Sequence, residues 1–311
     1  MSDPRNLTRK TALAVSQGAK ASLAHLRTTP EFIWHRDAAL IEARLEDALA
    51  DAVAGECEGT DYFLIVGPTG NGKSRLVKLL AQRHAQPNDP AASVMAMPVL
   101  YTRMAPSGSP VGYVRKVLDD LGAKYSQSNS FDQLYPLLLR LMSRMGVRML
   151  IIDELHHITL GPRDDRLRML NLIKDIGEQL SCVVVACGLA EALFAMRWDA
   201  QLDRRFEPLP LNRWALGSDY LDLLAAIENS LPLTEPSGLA SETLAPWICA
   251  QSEGTIKETQ RLLRRAASAA ILSDRPCIDL KLLKGLAWTR PSLRRREAAA
   301  TLRHDRMPIE T

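Results

Sequence analysis

Gly67-Pro68-Thr69-Gly70-Asn71-Gly72-Lys73-Ser74 decides how this 311-residue chain is read. The octapeptide follows an apolar run, Tyr62-Phe63-Leu64-Ile65-Val66, and leads into a helical pattern at Leu76, Leu79 and Leu80. Strand, glycine-rich loop and helix is the context in which G-x-x-x-x-G-K-[ST] cradles nucleotide phosphates. Glycines let backbone N–H groups turn inward on the phosphates, and the helix N-terminus adds a partial positive charge. Lys73 can reach the outer phosphates and the Ser74 hydroxyl can ligate magnesium. A nucleoside triphosphate, ATP or GTP, with magnesium is the expected cofactor.

The surroundings repeat the same alternation. Apolar, strand-like runs occur at Ser93–Tyr101, Arg148–Glu154 and Cys182–Cys187, the last with three consecutive valines. Between them lie helical patterns at Val111–Leu121, Leu134–Met145 and Leu167–Leu180, and another begins at Glu31, ahead of the first strand. Continuous apolar runs alternating with helices predict βαβ units and a parallel sheet buried on both faces. Beyond Trp214 helical patterns recur without strands: Tyr220–Ser230, Ser241–Gln251, Thr255–Leu272 and Ile278–Leu286. The expected organisation is an N-terminal arm over 1–30, an α/β nucleotide-binding domain over 31–214, a small all-helical domain over 215–287 and a basic tail over 288–311.

Asp153-Glu154 closes the run Leu150-Ile151-Ile152, some 80 residues after the phosphate loop. An acid at the carboxyl end of a strand beside that loop can hold magnesium, directly or through water. Glu154 can then polarise the water that attacks the γ-phosphate. His156 and His157 follow; with no third ligand at a suitable spacing, metal binding is not expected of them, and local hydrogen bonds are. Arg204-Arg205, ahead of Phe206, reads either as a pair of solvated arginines at a helix end or as cations for a transferred phosphoryl group, supplied by a neighbouring subunit. Lys257, one turn into the helix opened by Gly254-Thr255, could likewise reach a γ-phosphate or face solvent.

The bulk composition is that of an ordinary soluble protein, with 46% hydrophobic and 24% charged residues. A net charge of +3 is too small to prove a nucleic-acid partner. No apolar run approaches the roughly 20 residues that span a bilayer. The first 20 residues carry basic groups without a continuous apolar stretch, which disfavours a secretory signal. Cys57, Cys182, Cys187, Cys249 and Cys277 are odd in number and form no C-x-x-C pair, as expected of reduced thiols in a cytoplasmic protein.

Together these pieces resemble the AAA+ ATPases, and within them the TniB family of transposition ATPases, relatives of TnsC and more distantly of the IstB and DnaC loaders. The likeness rests on Gly67–Ser74, on Leu150-Ile151-Ile152-Asp153-Glu154-Leu155-His156-His157, on Gln201-Leu202-Asp203-Arg204-Arg205-Phe206 and on Gly254-Thr255-Ile256-Lys257-Glu258. It spans about residues 31 to 287. The resemblance implies a Walker A role for Gly67, Pro68, Thr69, Gly70, Asn71, Gly72, Lys73 and Ser74, and a Walker B role for Asp153 with Glu154 as catalytic base. It further implies an arginine finger at Arg205, with Arg204 beside it, and a sensor-two role for Lys257. One departure stands out: the family's fourth strand often ends in a polar residue that places the attacking water, whereas here it reads Val183-Val184-Val185-Ala186-Cys187-Gly188. Slow hydrolysis is the expectation.

The same resemblance implies a homo-oligomer that binds double-stranded DNA along its backbone without reading sequence, in the cytoplasm of a bacterium, marking target DNA and recruiting a transposase and target-selection proteins. Hydrolysis would then disassemble it. Phosphate contacts call for Lys or Arg on one face; the candidates are Arg103, Arg115 and Lys116, which read equally as solvated helix surface. The tail adds Lys284, Arg290, Arg294, Arg295, Arg296, Arg303 and Arg306 against Glu297, Asp305 and Glu310. A helicase-loading ATPase with a protein client is the alternative, and a small-molecule kinase is disfavoured by Glu154 beside Asp153.

Overall fold

A computed structural model describes residues 22, 36–55, 59–86, 95–198, 200–294 and 296. The N-terminal arm, residue 22 apart, and, in the tail, Arg295, Arg303 and Arg306 lie outside the described residues. The chain divides into two compact units, one over the described residues of Arg36–Asn212 and one that includes the described residues from Arg213 onward.

The first unit opens with α1 (Arg36–Ala54), whose Ile41, Leu45 and Leu49 are buried while Leu40 stays exposed. It continues with β1 (Tyr62–Val66), α2 (Lys73–Arg83), β2 (Val99–Arg103), α3 (Pro110–Asp120), α4 (Phe131–Arg144) and β3 (Met149–Asp153). A 3-10 turn (Leu155–Leu160), α5 (Arg163–Leu180), β4 (Val183–Gly188), α6 (Ala190–Met196), α7 (Ala200–Arg205) and β5 (Phe206–Pro210) complete it. The five strands form one parallel sheet in the order β2-β3-β4-β1-β5. β3 and β4 are buried at every position, which is why their sequences run unbroken in apolar residues. Helix starts follow their local chemistry. Ser109 caps α3 by accepting from the Gly112 N–H, with Pro110 at the first helical position. Ser130 and Gln133 form a capping box on α4.

Two strand expectations need correction. The second strand runs from Val99 to Arg103 rather than ending at Tyr101, so Arg103 lies inside it. The fifth strand, Phe206–Pro210, had no counterpart in the sequence reading; it pairs only with β1, and an edge position tolerates its two prolines.

The second unit is helical, as expected: α8 (Ser218–Asn229), α9 (Leu244–Ser252), α10 (Ile256–Leu272) and α11 (Leu280–Gly285). Its core gathers Trp214, Tyr220, Leu223, Leu224, Ile248, Leu262 and Leu263. The buried Tyr220 hydroxyl lies 3.3 Å from both Ser252 Oγ and Thr259 Oγ1, which satisfies all three polar groups inside that core. The start of the tail packs on the same unit: Trp288 Nε1 donates to Gln251 O (3.1 Å) and Arg294 Nη2 lies 2.6 Å from Glu258 Oε2. Among the described residues no helix is long and apolar enough to cross a membrane.

Candidate nucleotide site

Parallel strands end together, so one edge of the sheet collects the loops that follow them. The phosphate loop leaves β1 at Val66, level with Gly188 at the end of β4, and β3 pairs with the other side of β4. Gly70 and Gly72 take positive φ, 79° and 101°, and Gly72 directly precedes α2. These conformations turn the loop N–H groups toward one centre at the helix N-terminus, a concave seat for an anion.

Lys73 is buried, and its Nζ donates to Gly67 O (2.6 Å) and Pro68 O (3.0 Å). Burial pushes the ammonium pKa down, while the charges of Asp153 and Glu154 act on it in the opposite sense. The acid pair and the loop lysine therefore share one electrostatic neighbourhood. Ser74 is half-buried in the first turn of α2.

Asn71 anchors the loop from behind. It is buried, and its Nδ2 donates to Leu211 O (3.1 Å) and to Asn212 O. Leu211 N–H in turn donates to Val66 O (2.7 Å), and a Cβ added at Gly67 would meet Leu211 O at 2.3 Å. The loop thus sits tightly against the chain leaving β5. The sequence motif leaves position 71 open, so this role was not visible in it.

Asp153 is 1% exposed at the carboxyl end of β3. Tyr101 donates its hydroxyl to Asp153 Oδ2 (2.8 Å), and the Glu154 N–H donates to Oδ1 (2.9 Å). A buried carboxylate held in place by two donors, next to the loop lysine, fits a magnesium ligand set of Ser74 and Asp153 with an ATP phosphate. Glu154 is half-buried and takes φ 58°, a left-handed conformation uncommon for a non-glycine residue. Such strain concentrates where a side chain must be aimed. His156 Nδ1 stands 3.3 Å from Glu154 Oε2, yet this nitrogen and Nδ1 of His157 are buried without a hydrogen bond. The local hydrogen bonds expected of the two histidines are not made at those atoms. Burial also pushes the His156 pKa down.

At the end of β4, Cys187 fills the position where the resemblance leads one to expect a polar side chain. Burial pushes its thiol pKa well up, with Asp153 acting in the same direction, so it stays protonated and offers only a weak S–H donor.

The arginine pair sits elsewhere. Phe206 pairs with Tyr62 and Pro210 with Val66, so Arg205 lies at the amino end of β5 while the phosphate loop leaves the carboxyl end of β1. Five residues of strand separate the two ends by about 16 Å. Arg205 Nη1 lies 2.5 Å from Glu178 Oε1, and its guanidinium is 6.0 Å from the Tyr62 ring centre. Arg204 is exposed and, among the described residues, has no partner.

Each of the three DNA candidates has a partner within the chain. Arg103 Nε is 4.0 Å from Asp153 Oδ2, at the rim of the nucleotide site. Arg115 Nη2 donates to Gln127 O (3.0 Å) and Asn129 O (3.2 Å), bracing the α3–α4 connection. Lys116 Nζ lies 2.7 Å from Asp120 Oδ2 one turn along α3. Lys257 belongs to the second unit, exposed in the first turn of α10.

Comparisons with known proteins agree with this fold. The family model described as Bacterial TniB protein matches residues 23–216. Among solved structures, the ORC1 protein of Aeropyrum pernix in complex with DNA is similar at 18% identity, over 92% of this chain and 72% of that one, with a TM-score of 0.61. The ORC2 protein of the same organism, in ADPNP-ADP complexes, is similar at 16% identity, over 83% and 69%, with a TM-score of 0.59. Drosophila ORC bound to DNA is similar at 19% identity, over 95% and 70%, with a TM-score of 0.58. At these identities the likeness establishes the AAA+ fold. A search of curated protein sequences finds no match.

Proposed function

The chain belongs to the TniB family, and from that premise we propose that it is an ATPase that assembles on duplex DNA in its ATP-bound state and regulates transposition there. One observation carries the reading. The phosphate loop, Lys73 and Asp153-Glu154 lie at one end of the sheet, and the arginine pair lies at the other. A copy so built holds nucleotide at one end and offers cations at the other, so a full hydrolytic site needs two copies.

Within one copy, Lys73 and the loop N–H groups hold the outer phosphates, and Ser74 and Asp153 would hold a magnesium ion, whose charge would offset that of the phosphates when bound. Glu154 takes the proton of the attacking water. The cation at the γ-phosphate comes from the next copy. Arg205, the finger implied by the resemblance, must leave Glu178 to act, whereas Arg204 has no partner among the described residues, so Arg204 leads. Lys257 serves as the sensor of the nucleotide state. Turnover is slow, because Cys187 offers no strong hydrogen bond to place the water.

Structures of the same fold solved with DNA support DNA as the partner, and duplex is the form proposed. Lys116 can exchange Asp120 for a backbone phosphate, since a surface pair of this kind contributes only about 0.3–0.5 kcal/mol. Arg115 cannot turn away without releasing two backbone carbonyls. Transposase and target-selection proteins are the proposed protein partners of the assembled state, and hydrolysis releases it.

Electron microscopy on plain duplex DNA, with and without a slowly hydrolysed ATP analogue, tests the reading. Rings or filaments that need nucleotide and DNA together are expected, and Glu154→Gln should trap them with ordinary ATP. Lys73→Ala should abolish nucleotide binding and assembly. Single particles under every condition would refute the proposal, as would normal assembly by the Lys73 variant.

A further inference from the structure

The turn after β3 carries a feature that ATP hydrolysis does not require. Leu155 and Ile158 are fully buried and pin the 3-10 turn to the core, so the two histidines between them are held in place. Their rings meet at 4.8 Å between centres, inclined by 62°. One donor atom each from Glu154, His156 and His157 lies within 4.8 Å of the others. Nδ1 of both histidines is buried without a hydrogen-bond partner. Buried polar atoms are almost always paired, and an unpaired one costs about 1–3 kcal/mol. His156 Nδ1 stands 3.3 Å from Glu154 Oε2, and a ring nitrogen of His157 completes the cluster, an arrangement that suits a ligand accepting lone pairs.

We propose that Glu154, His156 and His157 form a three-ligand site for a borderline divalent transition-metal ion of the zinc class. Two imidazoles and one carboxylate suit zinc, whereas magnesium prefers an all-oxygen set. Tetrahedral zinc with bonds of about 2.0–2.1 Å places its donors roughly 3.3 Å apart, so small side-chain rotations close the site. Three protein ligands leave a fourth position open to water. Glu191, on α6, is close enough to act electrostatically on His156 and adds negative charge beside the site. Occupation takes the Glu154 lone pairs, so the carboxylate no longer accepts a proton from water, and the metal becomes an inhibitor of turnover. This consequence rests on the proposed role of Glu154; the metal binding itself does not.

The test uses the full chain with cobalt(II) as the spectroscopic probe and zinc as competitor, in excess magnesium. One cobalt per chain is expected, with a tetrahedral nitrogen–oxygen spectrum that lacks thiolate charge transfer. The dissociation constant should weaken at least tenfold in His156→Gln and again in His157→Gln. Retained nucleotide binding by each variant shows that it is folded; should either lose it, Glu154→Gln supplies the ligand deletion. Zinc should suppress hydrolysis by the parent protein at concentrations at least tenfold below those needed for His157→Gln. No cobalt uptake, a thiolate spectrum, or affinity unchanged in the variants would overturn the site. Stoichiometric cobalt binding by a protein that hydrolyses no ATP under any condition would uphold the site and sink the hydrolytic role of Glu154 instead.

Discussion

Asn71→Asp perturbs the phosphate loop without changing its shape. Asn71 is 5% exposed and donates from one nitrogen to two backbone carbonyls, Leu211 O and Asn212 O. Both partners are acceptors only, so only the amide nitrogen can face them. Asn71→Ala deletes two hydrogen bonds at about 1 kcal/mol each, so about 2 kcal/mol is the expected loss. Asn71→Asp deletes the same two bonds and sets a carboxylate oxygen against two carbonyl oxygens in a buried site. That adds at least about 2 kcal/mol for an unpaired buried polar group, for a total near 4 kcal/mol. Urea unfolding without nucleotide is the assay, since an aspartate would also repel phosphates and confuse a binding measurement. The aspartate variant should be the less stable of the two, although it is the closer isostere. Its deficit should shrink as pH falls. Burial and the facing carbonyls raise the folded-state pKa above the unfolded value of about 3.9, so the folded state binds the extra proton and the protonated carboxyl can donate again. If Asn71→Asp is as stable as Asn71→Ala at neutral pH, the loop is not held by this contact.

Three further outcomes are expected. Gly254 has φ 63°, a Cβ there would lie 2.2 Å from Trp214 O, and Trp214 N–H donates to Gly254 O (2.8 Å). Gly254→Ala should therefore cost about 3 kcal/mol, from left-handed strain and a lost hydrogen bond, and an unchanged melting midpoint would contradict this. Burial pushes the Cys182 thiol up to about 12 and Cys187 well above its usual range, whereas Cys277 is partly exposed. Iodoacetamide at pH 8 should label Cys277 well before either of them, as read by peptide mass spectrometry; equal labelling of Cys187 would refute its burial. Hydrogen bonds from Ser292, with Arg213 beside it, hold Glu253 below the usual carboxylate range. The depressed folded-state pKa means that this contact is at full strength above about pH 4.3 and is lost as pH falls through the folded value. Amide exchange at Ser292 should rise across that acid window, and should already be high at neutral pH in Glu253→Gln.

The central strands were legible because both of their faces are covered. β1, β3 and β4 carry no polar alternation, and burial on two sides leaves only apolar residues to choose from. β5 was not legible for the opposite reason. Phe206-Glu207-Pro208-Leu209-Pro210 faces water along much of its length and bonds to one neighbour, so neither periodicity nor strand propensity marks it. Its absence from the sequence reading also hid where the arginine pair lies. Arg204 and Arg205 read as a helix end, and only the β1–β5 register places that end away from the phosphate loop.

A parallel division runs through the site. Residues proposed to touch a ligand must have one chemistry, so Lys73, Ser74, Asp153 and Glu154 stand out by type and spacing. Residues that hold those in place need only the right partner, and partners come from the fold. Asn71 occupies an unrestricted position of its motif because its work is done on Leu211 and Asn212, some 140 residues away. His156 and His157 show no third ligand at the usual spacing in the sequence. The left-handed turn at Glu154 folds that carboxylate back toward the imidazoles, a geometry that ligand spacing in a sequence cannot express. Lys116 shows the reverse case: Asp120 stands four residues on along the same helix, so its ion pair is legible in the sequence. Positive charge alone therefore says little about nucleic acid. A basic side chain bears on a distant phosphate only after every acid within one helical turn, and every carbonyl the fold brings to it, has been accounted for.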